Sequence, residues 1–370
     1  MNNSNKNFAV TLVSAAFILM FCVMCIKAYF NPTEKSESER RPLAQFPEEI
    51  TWAGIVDKTV INDFEDYTVD QFPLREFFRS LKARFQLKVL GLKENNGMTE
   101  VDGYIAKIEP DFTEGLVDYS VGRLEYIYNK YLKDSGGDLF VSVVPDKNYF
   151  LGRDFGYPSP DYAALVNKVK AELSGMEYVD LFDTLELSDY YRTDTHWSQD
   201  KIGEAVKKLT DALGVSDRIS GEYTENQKEN FEGVYYLQSA LYPKPDTLTY
   251  LTNDTINGLK VFDYEKNKFV GGVYSDKDFE SEDGYNFFLY GTRALLRIDN
   301  PNATTDEELI IFRDSFGSSI SPLLAEGYKS VYVVDIRYVM PDMLGSFIDF
   351  EGKDVLFLYS TLVLNQKAFK

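Results

Sequence analysis

The sequence predicts an α/β fold, three layers with a central and mainly parallel sheet between helices, preceded by an N-terminal transmembrane helix. Three observations carry this expectation. The runs DLFVSVV (138–144), ELIIF (308–312), SVYVVDI (330–336) and DVLFLYS (354–360) are short and nearly continuous in apolar residues, as strands buried on both faces must be. Stretches with helical spacing separate several of them, and such alternation implies a parallel sheet with helices on both faces. The chain also opens with nineteen uncharged residues, FAVTLVSAAFILMFCVMCI, from Phe8 to Ile26.

At 1.5 Å per residue that opening run spans about 28 Å, close to the hydrocarbon thickness of a bilayer. It is longer than the apolar part of a cleaved signal and lacks a clear small-x-small site. Met24 stands before Cys25 where lipid attachment would want a small residue. Residues 1–30 therefore read as an uncleaved, single-pass signal anchor. Lys6 and Lys27 flank the run on either side, so the positive-inside rule barely decides its orientation. Residues 31–58, beginning NPTEKSESER, read as a polar linker, and 59–370 as one catalytic domain.

Within 59–370, Leu74, Phe77, Phe78, Leu81 and Phe85 form one apolar stripe, with Pro73 suited to a helix start and Gly91 to its stop. Pro145 ends the strand 138–144. YAALVNKVKAEL (162–173) reads as an amphipathic helix closed by Gly175, and MEYVDLF (176–182) as the next strand. SQDKIGEAVKKLTDALG follows, with Ser198 as N-cap and Ile202, Val206, Leu209 and Leu213 on one face. Residues 217–300 break the rhythm with tyrosine-rich, Gly- and Pro-punctuated runs, a β-rich or irregular insertion. SSISPLLAEGY then reads as a short helix between the strands 308–312 and 330–336.

Composition narrows the function. The 370 residues are 44% apolar and 26% charged, the balance of a globular protein. A net charge of −20 argues against a sequence-neutral nucleic-acid binder and against adsorption to anionic lipid. A neutral or weakly charged partner fits better. Both cysteines, Cys22 and Cys25, lie in the apolar run, so the rest of the chain has no disulfide and no thiol nucleophile. The single histidine, His196, excludes metal sites built from several imidazoles. No metal and no cofactor is expected.

Parallel sheets place their chemistry at the carboxyl ends of their strands. Those ends carry Pro145-Asp146-Lys147-Asn148, Arg313-Asp314-Ser315-Phe316-Gly317 and Arg337-Tyr338, with Asp194-Thr195-His196-Trp197 in a loop before a helix. A serine needs a base at hydrogen-bond distance, and the base needs an acceptor that fixes its tautomer. Asp194 and His196, two residues apart, can supply acceptor and base. IIFRDSFGSS supplies a strand, a tight turn exposing Ser315, and a helix whose first N–H groups can meet a developing oxyanion. This follows the logic of the nucleophile elbow, although GxSxG itself is missing. Singly, each motif has a plainer reading: Ser315 as a helix cap, Asp194 as a turn former, Trp197 as packing, Asp146-Lys147 as an exposed loop pair.

DTHW ahead of a helix and RDSFG at a strand end resemble the alginate O-acetyltransferase group of SGNH-hydrolase-like proteins, the DHHW proteins. ERRPLAQFPE (39–48), YTVDQFPLREFF (67–78) and VVPDKNYFL (143–151) resemble the same family, so the resemblance runs from Glu39 to the C-terminus and is weakest over 217–300. Thr195 stands where that motif has its first histidine, a position outside the triad. The resemblance implies an SGNH-hydrolase-like fold with Asp194 as orienter, His196 as base and Ser315 as nucleophile. Aspartate and histidine precede serine, the reverse of ordinary GDSL esterases, as in a permuted version of that fold. It further implies a location outside the cytoplasmic membrane and a membrane-bound O-acyltransferase as acyl donor.

The reaction expected is O-acyl transfer, acetyl foremost, to an exported or cell-wall polysaccharide through acyl-Ser315. The Ser315 N–H is one expected oxyanion donor, with Asn148, Lys147 and Arg337 as candidates for the second from position alone. Tyr235 and Tyr236 are candidates for a glycan groove. Two other readings stand beside this one: an esterase using the same triad with water as acceptor, and a non-catalytic glycan-binding or scaffold protein.

Overall fold

The computed structural model of the chain describes residues 3–36, 38, 39 and 41–370. Met1, Asn2, Glu37 and Arg40, which the anchor and linker readings include, lie outside the described residues. The chain forms two compact units, Met1–Leu92 with Leu237–Tyr242, and Lys93–Tyr236 with Pro243–Lys370. The expected boundary at residue 58 therefore moves to residue 92, and six residues of the insertion belong with the N-terminal unit.

In the first unit, helix α1 (Asn3–Phe30) contains a 21-residue apolar stretch, Val10–Phe30, none of it buried, long and apolar enough to cross a membrane. The predicted linker is structured. Strands Lys35–Ser36 and Arg41–Pro42 pair antiparallel. Asp70, near the end of α2 (Thr59–Asp70), receives both Arg41 guanidinium nitrogens at 2.6 and 2.7 Å and the Ala44 N–H at 2.9 Å. The Gln71 amide both donates to Thr33 O and accepts its N–H, each at 2.8 Å. Polar composition suggested a free linker. It takes the partners in the following helix to show that those polar groups are spent on local order. Helix α3 (Arg75–Arg84), extended by a wider turn to Val89, matches the predicted helix, yet its stripe of Leu74, Phe77, Phe78, Leu81 and Phe85 is exposed.

The second unit is built on an eight-stranded sheet. Its strands are β1 (Leu139–Val144), β2 (Glu177–Tyr178), β3 (Lys260–Asp263), β4 (Lys268–Gly271), β5 (Leu295–Asp299), β6 (Glu308–Arg313), β7 (Ser330–Val334) and β8 (Asp354–Ser360). Their spatial order is β4-β3-β5-β7-β6-β8-β1-β2. The five strands from β7 to β2 are parallel, and β5, β3 and β4 extend the sheet antiparallel. The region 217–300 is thus β-rich, as predicted, but it is no mere insertion, because it supplies three sheet strands. Its other two strands, Thr224–Phe231 and Asp246–Thr252, pair only with each other.

The central strands alternate between two cores. Phe140, Leu309, Ile311, Leu356 and Leu358 face one that includes Phe150, Val206, Leu209 and Ile320. Val141, Ile310, Phe312, Val355 and Phe357 face the other, with Val121, Leu124, Leu165 and Val169. The second group of partners comes from α4 (Glu114–Ile127) and α6 (Tyr162–Glu172); the first comes from α5 (Lys147–Phe155), α7 (Gly203–Ala212) and α8 (Gly317–Leu324). That is why these strands read as continuous apolar runs. The predicted strand 176–182 shrinks to β2, because Asp180 accepts the Phe182 N–H at 3.0 Å and closes a turn. Ser198 does not cap a helix through its side chain; its hydroxyl donates to Asp200, and α7 begins at Gly203.

Candidate active site

β6 runs between β7 and β8 in the parallel half and ends at Arg313. Asp314 then turns the chain: one carboxylate oxygen accepts the Phe316 N–H at 3.0 Å, the other the Ser360 N–H and hydroxyl at 2.8 and 2.6 Å from the end of β8. Every residue from Leu309 to Tyr328 is buried except Ser315. The turn thus presents one hydroxyl at the carboxyl edge. Gly317 is required there, since a Cβ would sit 2.5 Å from that of Arg313.

The loop after β2 brings the other two groups. His196 Nε2 lies 2.7 Å from Ser315 Oγ, and Nδ1 lies 2.5 Å from Asp194 Oδ1, which also accepts the His196 N–H at 2.9 Å. Asp194 Oδ2 accepts the Val234 N–H at 2.8 Å. Burial alone would push the Asp194 carboxyl up, but the neighbouring imidazole and these hydrogen bonds prevail and hold it below the usual carboxylate range. It is therefore an anion that orients Nδ1 as donor and leaves Nε2 to accept the serine proton. Tyr285 stacks flat on the imidazole, with ring centroids 3.7 Å apart and planes 4° from parallel. Its hydroxyl donates to Ser319 Oγ at 2.8 Å, and burial keeps the phenol neutral. The arrangement can remove a proton from a partly exposed hydroxyl and hold the resulting imidazolium between an anion and an aromatic face.

Asp194 is pinned from behind by Gly233, where an added methyl would approach Asp194 Cβ to 2.3 Å and Thr193 O to 2.5 Å. Gly233→Ala is expected to cost about 1–3 kcal/mol, as overpacked substitutions do, and to displace the carboxylate; thermal unfolding together with turnover would measure both.

The remaining predicted residues are placed differently. Trp197 is fully buried and donates to Ser319 Oγ at 2.9 Å, so it is packing and not a substrate contact. Tyr235 is buried with its hydroxyl on Thr195 Oγ1 at 3.1 Å, which removes it from any glycan groove, whereas Tyr236 is half-buried. Asp146 and Lys147 are buried rather than exposed. Lys147 Nζ donates to Ile105 O at 2.8 Å and Arg192 O at 3.3 Å, and Asn148 Nδ2 to Glu109 O at 2.8 Å. Arg337 is committed to the Asp335 carboxylate at 2.6 and 2.9 Å. None of these three side chains is hydrogen-bonded to Ser315 or His196. The sequence reading missed Tyr285, Gly233, Val234 and Asp246; the last accepts the Thr193 N–H and hydroxyl, each at 2.7 Å, and so fixes the loop. Only Asp314, inside the RDSFG motif, carried a visible signal.

Burial lowers the Lys147 ammonium to about 7, against the pull of Asp194 and Asp246. Between that value and the ordinary lysine range the unfolded chain binds the extra proton, so stability rises with pH across this window. Melting temperatures of the wild type relative to Lys147→Met are expected to climb from pH 7 to 10; parallel curves would contradict the assignment.

Fold and site together define an α/β/α protein with an aspartate–histidine–serine chain at the carboxyl edge of its parallel strands. Residues 178–334 match the family model described as DHHW protein. The match runs through 217–300, where the resemblance in sequence is weakest. A DHHW family protein from Eubacterium siraeum superposes with a TM-score of 0.60 at 24% identity, over 74% of this chain and 94% of that one. PatB1 of Bacillus cereus superposes at 0.55 and 19% identity, over 75% and 99% of the two chains. The same protein with a sulfonyl adduct superposes at 0.54 and 18%, over 74% and 97%. These likenesses are of fold. No curated protein sequence matches the chain.

Proposed function

We propose that this protein is an extracytoplasmic serine O-acyltransferase, anchored by α1, that moves an acyl group, acetyl foremost, onto a hydroxyl of an exported or cell-wall polysaccharide. The observation that carries the reading is the unbroken hydrogen-bonded chain from Asp194 through His196 to Ser315, the one partly exposed position in the turn after β6. Ser315 Oγ attacks the acyl carbonyl while His196 Nε2 takes its proton. That proton then goes to the donor's leaving group as the acyl–donor bond breaks, giving acyl-Ser315. A sugar hydroxyl attacks the ester, its proton passes to Nε2, and collapse returns Ser315 Oγ–H. The Ser315 N–H at the start of α8 is the first candidate donor to the oxyanion. A membrane-bound O-acyltransferase is the proposed acyl source, which an anchored catalyst would meet at the bilayer.

The test is incubation of the purified chain with an activated acyl ester, with and without oligosaccharide. Acylated sugar is the expected product; free acid alone, in equal amount with and without sugar, would make the protein an esterase.

A further inference from the structure

The hydrogen bond between Ser315 and His196 joins two stretches of chain that arrive separately, one after β6 and one after β2. A misplacement of about 1 Å at a reacting pair costs on the order of 10²-fold in rate, so the two stretches must be held in register. Asp194, Val234 and Asp246 fix the base from its own side. The bonds that cross to α8 run to one residue, Ser319, about one turn beyond the nucleophile.

Trp197 Nε1 donates to Ser319 Oγ at 2.9 Å, and the Tyr285 hydroxyl donates to the same oxygen at 2.8 Å. Gln199 Nε2 donates to Ser319 O at 2.5 Å. The other end of that amide settles its orientation, because Oε1 accepts the Leu251 N–H at 2.8 Å and the Tyr274 hydroxyl at 3.1 Å. Trp197 and Gln199 stand one and three residues after the base, and Tyr285 is the ring on its face. Phe316, the residue after the nucleophile, places its ring centroid 4.9 Å from that of the imidazole and 5.4 Å from that of the indole. Ser319 is fully buried, so removing its hydroxyl leaves two buried donors without their acceptor. The Gln199 bond is made to the main chain, survives Ser319→Ala and still ties the loop to the helix.

We propose that Ser319 is a positioning residue of the acyl-transfer site: through Tyr285 and Trp197, its hydroxyl sets the height on α8 at which the imidazole meets Ser315 Oγ. The proposal rests on the Ser315–His196 chemistry proposed above. It adds that the helix following the nucleophile also fixes the place of the base, through a side chain that touches no reacting atom.

Full-length chain, purified in detergent, is assayed with para-nitrophenyl acetate and with a sulfonyl fluoride. Ser319→Ala is expected to lower kcat about 10²-fold with KM nearly unchanged, because the lost contacts bear on reaction geometry and not on substrate binding. Tyr285→Phe keeps the ring and removes only its bond to Ser319, so it is expected to lose less. The double variant is expected to lose no more than Ser319→Ala alone, as for residues acting through one contact. Ser321→Ala removes another buried hydroxyl of the same helix, one that donates to Gly317 O at 2.6 Å, and is expected to keep the wild-type kcat. Wild-type kcat in Ser319→Ala or in Tyr285→Phe, or an equal loss in Ser321→Ala, would overturn the proposal. Should Ser319→Ala not fold, Tyr285→Phe decides alone. A wild type that neither turns over the ester nor takes the sulfonyl group defeats the acyl-transfer reading instead. Crystal structures of the two variants then decide the positioning: Nε2 is expected beyond about 3.2 Å from Ser315 Oγ, and an unmoved pair overturns it.

Discussion

Ser315→Ala is expected to lower acyl turnover about 10⁴- to 10⁶-fold, the loss seen when a serine triad loses its nucleophile, while leaving the melting temperature nearly unchanged. The Ser315 side chain touches the site through one hydrogen bond to His196, and it alone in its turn is partly exposed, so its loss opens no cavity. Turnover of an activated acyl ester and covalent labelling by a sulfonyl fluoride measure the effect. If both survive the substitution, the protein is not a serine enzyme and the glycan-binding or scaffold reading takes its place.

Asp194→Asn is expected to cost about 10⁴-fold in turnover, by the logic that an amide presents the wrong partner to Nδ1 and turns the imidazole to the wrong tautomer. The shape is kept, so Tyr285 and Val234 still frame the loop. The substitution also has a pH signature. The folded Asp194 carboxyl titrates below its unfolded value, so the carboxylate stabilises the fold above the unfolded value and that contribution is lost as pH falls through the folded one. The wild type should therefore lose stability in acid relative to Asp194→Asn, and acid-side melting curves of the two proteins would reveal a missing difference.

Much of this was legible in sequence, for identifiable reasons. Strands buried on two faces leave continuous apolar runs, so β1, β6, β7 and β8 were found within a residue or two of their ends. Asp194 and His196 share one short loop, and Ser315 sits in a strand–turn–helix passage whose purpose can be argued from its own residues. What stayed hidden depends on distant chain. Tyr285 meets His196 across 89 positions, and Gly233 reaches Asp194 across 39, with nothing local to announce either. Lys147 and Tyr235 looked available because sequence does not show that Ile105 O, Arg192 O and Thr195 Oγ1 already engage them. Periodicity identified α3 but not what its apolar side faces, since amphipathy specifies a contrast and not a partner.

The flat contact between Tyr285 and His196 makes the site its own spectroscopic beacon. Carbon-bound protons held over the face of a phenol ring feel its circulating electrons and resonate upfield of an unstacked imidazole. This chain has one imidazole, so in a tag-free sample that displaced pair of lines would need no assignment. Its movement on acylation, or its return toward ordinary positions in Tyr285→Leu, would follow the heart of the molecule directly in solution.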